Sequence, residues 1–139
     1  MEERFGLARS IFAPFILERT KRDIWLMPKD VFDLDFTDFE IEKRGLRSFN
    51  GEKHPPKPTS TFLQRFGHLC TKGRVELSAL ELQSFLNGES LIGKAVGISQ
   101  GYILVCRHSF PIGCGFVRDD NIETQFPLKT GRSISKQYL

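Results

Sequence analysis

Cys106, His108 and Cys114 stand close together in YILVCRHSFPIGCGFV, Tyr102 to Val117. These residue types could ligate zinc or, for sulfur, attack an electrophile. Structural zinc usually takes four ligands, with pairs at short spacing such as Cys-x-x-Cys. Here Cys106 and His108 are two apart and share one face of a strand, Cys114 reaches them only across a hairpin, and a fourth ligand would have to be Cys70 or His68. No metal site is expected from that spacing. A nucleophilic thiol needs a nearby cation, His or helix N-terminus to lower its pKa. Cys114 instead has Ile112 and Phe116 as its i±2 neighbours, and Cys106 alternates with Leu104 and His108. Both cysteines therefore read as small buried packing residues.

Other catalytic constellations are missing. Gly113-x-Gly115 is too short for a dinucleotide loop and is followed by strand and hairpin signals rather than a helix. No phosphate-binding loop, metalloprotease helix or nucleophile elbow occurs, so no cofactor is expected and the chain reads as non-enzymatic.

Charge is distributed unevenly. Residues 1–42 carry six Lys/Arg against ten Asp/Glu, residues 43–74 carry eight against Glu52 alone, and residues 75–139 carry six of each. A basic middle beside an acidic start can steer a polyanion, although the same run could serve only as a solvated face. Lys43, Arg44, Arg47, Lys57, Arg65, Lys72 and Arg74 fall in this stretch, interleaved with aromatics and close to Gly73. Lysine and arginine neutralise phosphates, free amides of a glycine loop can bind anions, and aromatic faces can stack unpaired bases.

The elements that must position these residues are legible in outline. Ala8–Ala13 predicts a short helix stopped by Pro14. Phe15–Leu17, a polar Thr20–Asp23 turn and Ile24–Leu26 predict a β-hairpin. Alternation over Asp38–Arg47 predicts a half-exposed strand. Pro55, Pro56 and Pro58 rule out a continuing helix or central strand and place a boundary near residue 55. Thr61 with Gln64, and Ser78 with Glu81, predict two capped helices, the second ended by Gly88. Between them lie a Cys70–Gly73 loop and an Arg74–Leu77 strand. Strands are expected from Leu91 onward, with turns at Gln100-Gly101, Ser109-Phe110-Pro111 and Asp119-Asp120-Asn121. Short strands with interposed helices imply an α+β fold.

Two longer stretches carry a family resemblance: KPTSTFLQRFGHLCTKGRVELSALELQSFLNGE, Lys57 to Glu89, and GYILVCRHSFPIGCGFVRDDNIETQFP, Gly101 to Pro127. The Lys-Pro-Thr entry, Phe-Gly near the helix end, Thr-Lys before the strand, Val-Glu-Leu, Gly-Tyr-Ile-Leu and the Gly-x-Gly-Phe strand together resemble the C-terminal PUA-like domain of RsmF-like RNA 5-methylcytosine methyltransferases of the Nop/Sun family. RFGLARSIFAPFILERTKRDIWL looks like the smaller domain that precedes it there.

The resemblance implies a small N-terminal pre-PUA-like α/β subdomain over residues 1–55 and a PUA-like mixed β pseudo-barrel with flanking helices over residues 56–139. It implies RNA contacts at Arg65, Thr71, Lys72, Gly73 and Arg74, with Lys129 and Arg132 as late candidates. It does not extend to methyl transfer. That family's catalytic cysteines lie in Pro-Cys and Thr-Cys contexts, whereas this chain has Leu69-Cys70, Val105-Cys106 and Gly113-Cys114, and 139 residues leave no room for the cofactor domain.

The expected partner is structured ribosomal or transfer RNA, in RNA modification or ribosome biogenesis, with an RNA methyltransferase recruiting the chain in trans. No DNA partner is expected. With no apolar run of ~20 residues and no signal-peptide core, a cytoplasmic protein without a membrane partner is expected. The rival from another class is a protein-interaction adaptor in ribosome assembly, docking through the acidic segment Asp30–Glu42.

Overall fold

Short apolar runs, Phe15–Leu17 and Ile24–Met27, on either side of a polar turn produce the first hairpin. Strand β1 (Phe15–Arg19) pairs antiparallel with β2 (Asp23–Pro28), in a register that places Leu17 opposite Leu26. The Thr20 amide and hydroxyl both donate to the Asp23 carbonyl, which closes the turn. The structure, a computed structural model, describes residues 1–38, 40, 45–131 and 133. Strand β3 (Leu46–Asn50) continues the sheet beside β2, after a bulge between Ile24 and Trp25. The strand expected over Asp38–Arg47 lies largely outside the described residues. The observed one begins at Leu46.

Beyond the proline run, β4 (Lys57–Pro58) pairs with Phe49 and Asn50 at the sheet's edge. An edge position accommodates Pro58, which has no N–H to give to a further strand. The boundary expected near residue 55 thus falls between two strands of one four-stranded sheet, ordered β1-β2-β3-β4.

A second four-stranded sheet has the order β5-β6-β7-β8, comprising Arg74–Glu76, Gly101–Arg107, Phe110–Arg118 and Asn121–Thr124. Strand β5 runs parallel to β6, and the helix Ala79–Asn87 lies in the connection between them. The remaining pairs are antiparallel hairpins. Their two-residue turns, His108-Ser109 and Asp119-Asp120, have positive φ throughout, the mirror-image turn geometry that suits strand twist. Phe110 and Pro111 therefore belong to β7, not to the turn expected at Ser109–Pro111. Pro111 is placed beside an irregularity in the ladder between Val105 and Cys106. Residues 91–100 form turns rather than the expected strand, tied down by reciprocal Leu91–Ile122 main-chain bonds.

Strand β6 separates two cores. Ile103 and Val105 point into one, with Phe85, Leu86, Val117, Ile122 and Phe126. Leu104 and Cys106 point into the other, with Phe5, Phe49, Phe62, Leu63, Phe66 and Cys114. Period-two alternation with both faces apolar is what a strand buried on both sides requires. In the second core Phe12, Phe15, Phe49, Phe62 and Phe66 form a ring cluster with centroids 4.8–6.1 Å apart. Among the described residues the order also holds helices α1 (Glu2–Phe5), α2 (Lys29–Phe32), α3 (Ser60–Phe66) and α4 (Ala79–Asn87), and residues 128–131 are helical as well. Single 3-10 turns at Arg9–Phe12 and Gly67–Leu69 accompany them. The fold is mixed α+β.

The cap of α3 differs from expectation. Thr59, not Thr61, is the N-cap: its hydroxyl accepts from the Phe62 amide at 3.1 Å and donates to the Arg47 carbonyl at 2.7 Å. Thr59 is already pinned to β3 by its own amide, which donates to Ser48, so the helix starts two residues early. Gln64, freed from capping, donates to the Ile112 carbonyl of β7 at 2.7 Å.

Candidate nucleic-acid interface

The basic segment reaches the surface by several routes. Arg65 is on the exposed face of α3, whose opposite face buries Phe62, Leu63 and Phe66. Lys72 is exposed on the loop that follows, and Lys57 is half-buried on β4. Arg74 starts β5, half-buried, with Nη2 3.4 Å from the Ser109 carbonyl. Arg47 on β3 is held by Asp23 at 2.7 Å, so its charge is matched locally. Lys129 is exposed far along the chain. Lys43, Arg44 and Arg132 lie outside the described residues, as do parts of the acidic segment Asp30–Glu42. In that segment α2 covers Lys29–Phe32, and Asp35 accepts from the Thr37 amide and hydroxyl, which lowers the carboxyl's pKa.

The glycine loop is not an open anion cradle. The amides of Thr71 and Lys72 both donate to the Phe5 carbonyl, at 3.1 and 3.3 Å, and the Thr71 hydroxyl donates to the Gly6 carbonyl. Gly73, at φ +65°, lies so near α1 that a Cβ there would stand 2.1 Å from the Arg4 carbonyl oxygen. A glycine is required at this crossing on both counts, handedness and space. Two of the loop's main-chain donors, and the Thr71 hydroxyl proton, are thus taken by the N-terminal segment, which leaves chiefly the side chains of Lys72 and Arg74 for an outside ligand.

The three cysteines are buried and unbridged. Burial pushes the Cys114 thiol up to about 12, against a smaller pull from the Lys57 charge. Burial and the neighbouring Cys106 push Cys70 up to about 11, while Arg74 acts in the opposite direction. Burial likewise raises Cys106. None of the three is a thiolate at neutral pH, so none has the form a nucleophile needs. Cys106 and Cys114 face the second core while His108 is in an exposed turn. Among the described residues no three His, Cys, Asp or Glu side chains gather to hold a metal ion. Nor is any described helix long and apolar enough to cross a membrane.

The structure adds a cleft that sequence reasoning missed. One chamber, of about 390 Å³, lies between the first sheet (Leu17, Ile24, Phe49), the proline run (Pro55, Pro56, Pro58) and Tyr102, with Arg4 in its wall. A second, of about 430 Å³, is bordered by Lys53, His54, Phe116, Arg118, Glu123 and Gln125. Pro55, Gln100, Gly101 and Tyr102 line both, so the chambers adjoin. Tyr102 meets Phe116 edge-on, with centroids 5.0 Å apart at 75°, and the Arg118 guanidinium lies 5.4 Å from the Phe116 centroid. The sequence signal was available: Tyr102 and Phe116 face each other in the strand pairing, and Arg118 follows at i+2 on the same face.

No protein-family model matches the chain, and no curated protein matches it.

Proposed function

We propose that this chain is a non-catalytic RNA-binding module with the pre-PUA plus PUA-like organisation its sequence resembles. It acts in the cytoplasm on structured ribosomal or transfer RNA during RNA modification or ribosome biogenesis, with an RNA methyltransferase as a partner in trans. One observation carries the reading. Among the described residues, Lys53, Lys57, Arg65 and Lys72 pair with no carboxylate, so these four positive charges stay uncompensated. Unpaired cations around a rigid scaffold are what phosphate contacts need, and such contacts supply most of the affinity for RNA. The protonated, buried thiols accord with a non-catalytic role.

Filter binding of a transfer RNA across a salt series tests this. Log affinity should fall with log salt by about 0.7–0.9 per phosphate neutralised, and Lys72→Ala and Arg65→Ala should each reduce that slope by about 1. Structured RNA that binds no better than heparin, with both variants indistinguishable from wild type, would sink the proposal.

A further inference from the structure

The double cleft is amphiphilic in a particular way. Its inner chamber is walled by prolines, aliphatic side chains and the three aromatic residues Phe5, Phe49 and Tyr102, and its outer chamber carries Lys53, His54 and Arg118. Both volumes lie in the range of about 300–1,000 Å³ typical of small-ligand clefts. A matching ligand has a flat apolar body and an anionic end a short distance away. We infer that the cleft holds one unpaired nucleotide of an RNA, its base in the inner chamber against Tyr102 and its phosphate among Lys53, His54 and Arg118. The inference rests on the RNA-binding reading and specifies where a base would be read.

Three features favour a nucleotide. The Tyr102 ring is fixed by its edge-on neighbour Phe116, so a base can stack on it without first ordering a loose side chain. Gln100 is exposed at the junction of the chambers, where an amide can offer both a donor and an acceptor to a base edge. Among the described residues, Glu123 is the one carboxylate lining the outer chamber and is engaged by Arg118 at 3.3 Å, while Lys53 and His54 beside it pair with no carboxylate. A paired base cannot enter such a chamber without leaving its helix, so the ligand is a bulged, looped or terminal nucleotide.

The test compares two RNA hairpins by fluorescence anisotropy at fixed salt, one with a single unpaired nucleotide in its stem and one fully paired. Wild type should prefer the bulged hairpin by about tenfold, as loss of a stacked base implies. Tyr102→Leu, and independently the charge-neutral Gln100→Leu, should bring that preference to within about twofold without changing affinity for the paired hairpin. Gln100 is exposed, so its substitution does not depend on repacking, and an unchanged melting curve verifies that the fold is retained. If wild type binds both hairpins equally, or both variants keep the preference, the cleft is not a base pocket, although the RNA-binding reading stands. If neither hairpin outcompetes heparin, that reading falls, and titration with adenosine monophosphate followed at the Tyr102 ring resonances decides the cleft alone. Shifts abolished by Gln100→Leu uphold the pocket. A cleft that takes an apolar peptide but no mononucleotide overturns it.

Discussion

The Arg4 guanidinium reaches across to a strand ninety-eight residues further along the chain, where its Nε donates to the Tyr102 carbonyl. Nη1 donates to Ser99 Oγ at 2.7 Å, and Nη2 is buried with no hydrogen-bond partner among the described residues. The same residue's carbonyl is the close neighbour of Gly73, and the carbonyl of the next residue, Phe5, holds the amides of Thr71 and Lys72. Helix α1 thus fastens two sequence-distant pieces, the glycine loop and the floor of the cleft. At four residues it could not be stable alone.

Arg4→Ala should therefore lower stability by about 1–2 kcal/mol, through lost charge-assisted hydrogen bonds discounted for partial exposure. Phe5→Ala, which empties a core site, should cost about 3–5 kcal/mol. Chemical denaturation of the two variants measures both. An Arg4→Ala midpoint equal to wild type would mean that Phe5 burial alone fastens the segment.

Local chemistry was legible wherever neighbours in sequence decide the outcome. The hairpin from Phe15 to Leu26, the Ser78–Glu81 cap, the Gly88 stop and the burial of Cys106 and Cys114 all follow from periodicity, turn residues and short-range hydrogen bonding. The α3 cap was misplaced by two residues because Thr59 is held by β3, a contact that spacing cannot reveal. The glycine loop looked open for a similar reason. Nothing in TKGR announces that Phe5 will take its amides. The cleft was invisible because its walls come from the N-terminus, the first sheet, the proline run and β6–β8. Only the Tyr102–Phe116–Arg118 alternation was written locally.

The second cap carries a prediction of its own. The Ser78 hydroxyl accepts from the Glu81 amide at 3.2 Å, and Glu81 returns a bond from the Ser78 amide at 2.7 Å while holding Lys94 at 2.9 Å. The Ser78 amide, opposed by burial and aided by Lys94, holds the Glu81 carboxyl below its ordinary value. A depressed carboxyl contributes stability above its unfolded pKa and loses it as pH falls through the folded one. Ser78→Ala should cost about 1 kcal/mol at neutral pH. Glu81→Gln should flatten the acid limb of the stability curve below the ordinary glutamate pKa of about 4.3. Denaturation midpoints from pH 7 down to acid measure both, and an acid limb unchanged by Glu81→Gln would assign it to other carboxylates.

The buried thiols predict the opposite limb. Cys114 and Cys70 are raised to about 12 and about 11 from an ordinary value of 9.0. Below the ordinary value, folded and unfolded chains both hold these protons, and the stability gained by burying neutral thiols is fully present. As pH rises further the unfolded chain ionises first and binds fewer protons, so stability falls until the folded values are reached. Unfolding free energy should thus be level from neutrality to about pH 9 and then decline, by up to about 1.4 kcal/mol per pH unit for each thiol. Lysines and tyrosines titrate in the same window, so the informative quantity is the difference between wild type and Cys114→Ala, whose decline should be shallower by one thiol's share. The same burial predicts slow alkylation of Cys114 by iodoacetamide in the folded protein at neutral pH and rapid alkylation once it is unfolded. A native Cys114 that reacts as fast as free cysteine would show that the β6–β7 hairpin opens, and would return that thiol to the list of candidate nucleophiles.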